Sequence, residues 1–248
     1  MQELKNKTEI GYIKQACKIV AELLLYVREI VKPGVKTRWL DERAEEFIQR
    51  RGGVPAFKNY NGFPASICTS VNEEVIHGIP GEYRLQEGDV LSIDVGVNKA
   101  GYFGDAAITI PIGQISIEVG RLLRVTEEAL YEGIRKAVHQ NHVSDISRTI
   151  QEHVEKNGFS VVRDFVGHGI GKKLHEEPPI PNYKTPGRGP QLLSGMTLAI
   201  EPMVNLQGFE VIVKKDNWTV VTKDGKPSAH FEHTVLVRNG EPEILTIL

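Results

Sequence analysis

A chain of 248 residues, 40% hydrophobic and 25% charged, can bury one substantial core and lies outside the composition of disordered or fibrous proteins. A formal net charge of -2 supplies no basic stripe for nucleic acid, and two cysteines, Cys17 and Cys68, make neither a disulfide scaffold nor a zinc finger. The apolar run from Ile19 to Val27 is interrupted by Glu22 and is too short to span a bilayer, so the expectation is a soluble protein of the reducing cytoplasm with no membrane partner.

From Thr8 to Val31, the apolar residues Ile10, Ile13, Cys17, Val20, Leu24, Val27 and Val31 recur at steps of three and four, which predicts a helix stopped by Pro33-Gly34. A shorter helix is predicted over Arg38 to Arg50, capped by Thr37 and ended by Gly52-Gly53. Two strands follow, because Leu91, Ile93 and Val95 alternate with Ser92, Asp94 and Gly96, and Ala106, Ile108 and Ile110 alternate with Asp105, Ala107 and Thr109. They flank the turn Asn98-Lys99-Ala100-Gly101, and centring it between Lys99 and Ala100 pairs Asp94 directly with Asp105. Helices are predicted from Ile117 to Val138 and from Ser144 to Lys156, the second closed by Asn157-Gly158. Strand-like runs then occupy Val161 to Val166, Thr197 to Val204, Trp218 to Thr222 and His230 to Val237.

The order helix, helix, strands, helix, helix, strands suggests a duplicated unit. Leu85-x-x-Gly88-x-x-Leu91-x-Ile93-Asp94 matches Leu192-x-x-Gly195-x-x-Leu198-x-Ile200-Glu201 at one constant offset, and His77-Gly78-Ile79 recurs as His168-Gly169-Ile170. The expectation is a single α+β domain, residues 1–248, built of approximate halves 1–115 and 116–248, with a pocket lined from both.

Carboxylates directly opposite each other across two strands repel, so Asp94 and Asp105 call for a cation or a shared proton, unless a register shifted by one residue sends one of them to solvent. Glu201 lies in the apolar strand Leu198-Ala199-Ile200-Glu201-Pro202, and Glu232 in His230-Phe231-Glu232-His233-Thr234-Val235. An unpaired charge in a core strand is expensive and points to a metal, a partner cation or a raised pKa. His168 stands between glycines, where backbone bends closely around a ligand. Four carboxylates and one neutral imidazole carry four negative charges, which two divalent ions about 3.5 to 4 Å apart would neutralise; manganese, iron, cobalt and zinc all suit such donors.

With these residues in place the chain resembles the methionine aminopeptidase family. The likeness runs through Tyr60-x-x-Phe63-Pro64-x-x-Ile67-Cys68-x-Ser70-x-Asn72, His77-Gly78-Ile79-Pro80, Ile93-Asp94-Val95, Gly104-Asp105, Gly167-His168-Gly169-Ile170-Gly171, His175-Glu176-x-Pro178, Gly195-Met196-x-x-Ala199-Ile200-Glu201-Pro202 and Phe231-Glu232-His233-Thr234. The resemblance implies a pita-bread fold of two pseudo-symmetric halves, a curved antiparallel sheet covered by helices. It implies Asp94, Asp105, His168, Glu201 and Glu232 as ligands of two divalent ions (Co, Mn, Fe or Zn), with Asp105 and Glu232 bridging. Metal-activated water would then cut the Met-Xaa bond of nascent chains whose second residue is small and uncharged. Glu201 would also shuttle the proton, His175 would face the oxyanion and His77 the scissile amide. Tyr60, Phe63, Cys68 and Trp218 would line the methionine pocket, and blocked N-termini would fail.

Three positions depart from the family's commonest pattern: Asn61 where histidine is frequent, Leu174 where an aromatic often precedes the second histidine, and His230 where glutamine is common. Strand alternation puts His230 on the face of Glu232, where it tunes that ligand, or else at the surface. The helical pattern starting by Thr8 argues against the extra N-terminal domain of a proline-directed relative, the short span between Glu201 and Glu232 favours a type I over a type II enzyme, and the lack of zinc-binding cysteines ahead of the first helix leads to the expectation of a bacterial type. A binding module of the same fold would generally have lost ligands. By the same resemblance the chain is expected to be a monomer with transient ribosome contact and no specific nucleic acid recognition.

Overall fold

The computed structural model describes residues 4–248. The N-terminal periodicity becomes helix α1 (Lys7–Ile30), started by Asn6: its side chain accepts the N–H groups of Thr8 and Glu9, while the Glu9 carboxylate accepts the Asn6 N–H. Helix α2 (Thr37–Arg50) begins one residue earlier than expected, and Thr37 is not its cap. Lys36 holds that place, and the Thr37 hydroxyl instead exchanges two hydrogen bonds with the backbone of Gly81. Past its end Gly52 takes a φ of +65°, and Gly52 and Gly53 donate back to the carbonyls of Gln49 and Ile48.

Strands β1 (Val54–Pro55), β2 (Cys68–Val71) and β3 (Glu74–Ile76) precede the hairpin of β4 (Val90–Lys99) and β5 (Tyr102–Pro111). Its register corrects the sequence expectation. Only Ala100 and Gly101 form the turn, both at positive φ (54° and 82°), the form that matches strand twist, so Lys99 pairs with Tyr102, Asp94 with Ala107 and Asp105 with Gly96. The slip is two residues rather than one, which keeps both aspartates on the same face as diagonal neighbours.

Helix α3 (Ile117–Ile134) stops four residues before its predicted end, because Val138 bridges to Arg238 and His139 donates to the Arg238 carbonyl. Helix α4 (Val143–Lys156) follows, then β6 (Ser160–Val161), β7 (Gly167–Gly169), β8 (Glu176–Ile180), β9 (Thr197–Ile200), β10 (Met203–Asn205), β11 (Val211–Val213), β12 (Val220–Thr222), β13 (Ser228–His230), β14 (Glu232–Leu236) and β15 (Glu243–Ile244). The run Val161 to Val166 is not one strand, since the exposed Arg163-Asp164 turns the chain toward β7. The run from Trp218 is shortened because Asp216 draws the N–H groups of Trp218 and Thr219 into a turn.

The two longest predicted strands each divide, at Glu201-Pro202 and at Phe231. On one side of each break the chain belongs to the large sheet, ordered β1-β4-β5-β14-β9-β7-β8 with β2 on β4 and β15 on β14. On the other it enters a small sheet, β13-β10-β6, and β11-β12-β3 forms a third. Pro202 has no N–H to give a ladder, so the change of sheet falls there at least cost. Helices α1 and α2 cover part of the large sheet through Leu23, Leu40, Ile48, Leu91 and Ile93, and α3 and α4 cover the rest through Leu122, Leu130, Ile146, Leu198 and Ile200. In the matched segments, Gly88 and Gly195 both turn at positive φ (92° and 99°), and Leu91, Ile93, Leu198 and Ile200 are fully buried.

Candidate active site

Strand pairing sets the site before any side chain is considered. Ala107 of β5 is paired on one side with Asp94 of β4 and on the other with Glu232 of β14, so the three share a face. Ala199 of β9 is paired likewise with His168 of β7 and Thr234 of β14, and Glu201 lies two residues beyond Ala199 on that face. Asp105 joins the same face two residues before Ala107, its backbone exchanging hydrogen bonds of 3.0 and 2.8 Å with the Thr234 hydroxyl. Five expected ligands thus surround two alanines whose small side chains leave space between them. Those alanines are a signal that charge-based sequence reasoning passed over.

One ligand atom each from Asp105, His168 and Glu232 lies within 4.8 Å of the others, and His168 Nε2 is 3.5 Å from Glu201 Oε1. Asp105 and Glu232 are buried, and Asp94 Oδ1, Asp105 Oδ1 and Glu232 Oε1 have no hydrogen-bond partner. Burial raises the Asp94 pKa to about 7. The other three acids are also raised well above the usual carboxylate range, by burial and then by their neighbours: Asp105 by Glu232 and Asp94, Glu201 by Asp94 and Asp105, Glu232 by Glu201 and Asp94. Unpartnered buried carboxylate oxygens beside a free imidazole nitrogen fit divalent cations bound by oxygen and nitrogen donors.

His168 donates from Nδ1 to the Gly169 carbonyl at 2.8 Å, which leaves the Nε2 lone pair facing the acids, and burial lowers its pKa to about 3. The flanking glycines are sterically required: a Cβ on Gly167 would meet the Ala199 carbonyl and one on Gly169 the Glu177 carbonyl. His175 stands at the cavity mouth, its Nδ1 2.7 Å from the Tyr60 hydroxyl and its ring edge-on to His168 at 4.3 Å between centroids. His77 occupies the left-handed region at φ +57°, packed against Phe165 and Trp218, and burial lowers its pKa to about 4. Both histidines are therefore neutral at pH 7, since partial burial also lowers His175.

One cavity of about 210 Å³ gathers all eleven expected residues: Asp94, Asp105, His168, Glu201, Glu232, His77, His175, Tyr60, Phe63, Cys68 and Trp218. Phe57, Asn61 and Leu174 also line it, the first unanticipated and the other two noted only as departures. Cys68 pairs with Asp94, which puts it on the site face. His230 is buried, so the surface reading falls, and its Nε2 lies 3.8 Å from Glu201 Oε2. Phe231, between His230 and Glu232, is where the chain changes sheet.

Residues 11–239 match metallopeptidase family M24. The chain is 55% identical over 245 residues to the methionine aminopeptidase of Clostridium perfringens, covering 99% of this chain and 98% of that one. It is 51% identical to methionine aminopeptidase 1 of Bacillus subtilis, covering 98% of each. The crystal structure of methionine aminopeptidase from Thermotoga maritima superposes with a TM-score of 0.98 at 45% identity over all of both chains. Prolidase from Pyrococcus furiosus has a TM-score of 0.82 at 22% identity and is covered over 65% of its length, which shows a shared fold alone. With the pita-bread fold common to these structures, the chain belongs to metallopeptidase family M24 and, within it, to the methionine aminopeptidases.

Proposed function

We propose that this chain removes the N-terminal methionine from nascent proteins whose second residue is small and uncharged. The observation that carries the reading is the single sheet face that brings four acids and one neutral imidazole to a cavity walled by Tyr60, Phe63, Cys68 and Trp218. Asp94, Asp105, His168, Glu201 and Glu232 would hold two divalent ions. Bound there, cobalt, manganese, iron or zinc would supply a hydroxide at neutral pH and a Lewis acid for the scissile carbonyl.

The chain's own groups complete the chemistry. Tyr60 keeps its proton, burial raising its pKa, and with that O–H donated to His175 Nδ1 the imidazole would carry its own hydrogen on Nε2. That N–H is positioned to stabilise charge developing on the carbonyl oxygen. With the site's cations neutralising the neighbouring acids, Glu201 would stand as a carboxylate, take the proton of the attacking water and return it to the leaving amine. His77 contacts the amide. The aromatic walls hold the methionine side chain, sulfur against a ring being worth about 0.3 to 1.5 kcal/mol.

The same proposal covers the setting: one catalytic domain of halves 1–115 and 116–248, a monomer in the cytoplasm meeting nascent chains at the ribosome. Among the described residues no helix is long and apolar enough to cross a membrane. Metal analysis of protein purified without added metal, with an assay on Met-Ala-Ser, acetylated Met-Ala-Ser and an Xaa-Pro peptide, tests the reading. About two ions per chain and cleavage of the free Met peptide alone are expected. Cleavage of only the proline substrate would overturn it.

A further inference from the structure

The Lys5 side chain is only 3% exposed, and an ammonium in such a place requires an anion. Its Nζ lies 2.5 Å from Glu176 Oε2, whose side chain is 11% exposed. Glu176 directly follows His175 and begins β8, so the segment from Ile170 to His175 between β7 and β8 has no strand of its own to fix it. Tethers fix it instead. The second oxygen of Glu176 accepts the Lys173 N–H at 3.0 Å, and Gly171 donates to the Lys173 carbonyl at 3.1 Å, so the carboxylate ties the loop from within while Lys5 ties it from outside.

Space for this arrangement is provided by a glycine. A Cβ on Gly171 would overlap Lys5 Cε and come within 2.9 Å of Glu176 Oε1. The backbone of the same strap reaches the rest of the site. Lys5 N–H donates to the Gly195 carbonyl at 2.9 Å, in the turn that launches β9 toward Glu201. The Gly171 carbonyl accepts the Phe103 N–H at 2.8 Å, two residues before Asp105.

We propose that Lys5 is a positioning residue of the aminopeptidase reaction, its ion pair with Glu176 holding His175 against Tyr60 and His168. The inference rests on the role given to His175 above. A buried pair broken on one side leaves its carboxylate uncompensated, and the carboxylate relieves that by moving toward water and carrying the adjoining loop with it. Displacement of a catalytic group by about 1 Å is enough to slow turnover on the order of 100-fold.

A double-mutant cycle on the full-length, metal-loaded protein tests this: Lys5→Met, Glu176→Gln and His175→Ala singly, and each of the first two combined with His175→Ala. Turnover and KM on Met-Ala-Ser and the imidazole NMR resonances of His175 are read together. Expected are a fall in kcat of about 10- to 100-fold in Lys5→Met with KM within about 2-fold, a shifted His175 resonance, and no further loss when His175 is already alanine. Lys5→Arg should restore part of the turnover. Equal losses with and without His175, or an unmoved His175 resonance, would overturn the proposal and leave Lys5 a fold anchor. Should Lys5→Met not fold, Glu176→Gln, which keeps size and shape, carries the same comparison. The resonance reports on the loop whether or not Met-Ala-Ser is cleaved, so failure of the aminopeptidase reading appears separately, as an inactive parent protein.

Discussion

At the scale of single residues, the division of labour among the histidines can be measured. His168 faces the acids with a bare Nε2, whereas His175 and His77 line the cavity without joining the ligand cluster. His175→Ala and His77→Ala should each lower kcat on Met-Ala-Ser by about 10² to 10³ while metal content stays at the parent value. Loss of metal in either variant, by elemental analysis, would move that histidine into the ligand set. Tyr60→Phe removes only the hydroxyl that lies 2.7 Å from His175 Nδ1, and should cost about 10-fold in kcat with little change in metal content. The acids of the site face were legible in the sequence because a carboxylate in an apolar strand is costly and so needs a reason to be there. Ala107 and Ala199 were not legible, since an alanine in a strand is ordinary until the pairing shows Ala107 between Asp94 and Glu232 and Ala199 between His168 and Thr234. For His230 the sequence left burial and surface open, because the strand pattern it was read from ends at Phe231, and the fold puts its imidazole 3.8 Å from Glu201.

At the scale of elements, the four helices and the hairpin followed from periodicity, and the ends of α2 and α4 at Arg50 and Lys156 fell where expected, but the end of α3 and the register of the hairpin did not. The hairpin register depended on whether two or four residues turned the chain, a choice made by the positive φ of Ala100 and Gly101. Strand breaks at Glu201-Pro202 and Phe231 depended on a second sheet that no local pattern announces. One contact between elements carries a prediction. Gly104 lies under α1, where a Cβ would sit 2.6 Å from the Cys17 backbone nitrogen and 2.8 Å from its Sγ. Neither the helix backbone nor the buried thiol gives way cheaply, so Gly104→Ala must lift α1 from β5 or push β5 toward the cavity. A loss of about 1 to 3 kcal/mol in unfolding free energy is expected in denaturant titration. Because Asp105 is the next residue, metal affinity by calorimetry should fall as well. Parent-like stability in this variant would mean that the helix does not rest on the strand as described.

The whole molecule pays for its site in stability, and pH exposes the cost. In the metal-free chain Asp94 is raised to about 7 and Asp105, Glu201 and Glu232 are raised well above the usual carboxylate range, chiefly by burial. Unfolded, these acids titrate at about 4, so above that pH the folded chain holds more protons than the unfolded one and loses stability as pH rises. The buried histidines act in the opposite sense: His168 and His230 are lowered to about 3, and His77 and His233 to about 4, chiefly by burial. Each favours the unfolded chain as pH falls below about 6.5, where the unfolded imidazole takes its proton. Between about 4 and 6.5 the two sets oppose each other, and above 6.5 only the acids remain. The Tm of chelator-treated protein should therefore fall from pH 6.5 to pH 8, while that of metal-loaded protein should not, because bound cations displace the acids' protons. Calorimetric titration with Mn in buffers of different ionisation enthalpy should show that proton release directly, and more of it at pH 6.5 than at pH 8. A metal-free Tm that rises over the same interval would mean that the four acids are already ionised and solvated, and that the site face is wetter than its burial implies.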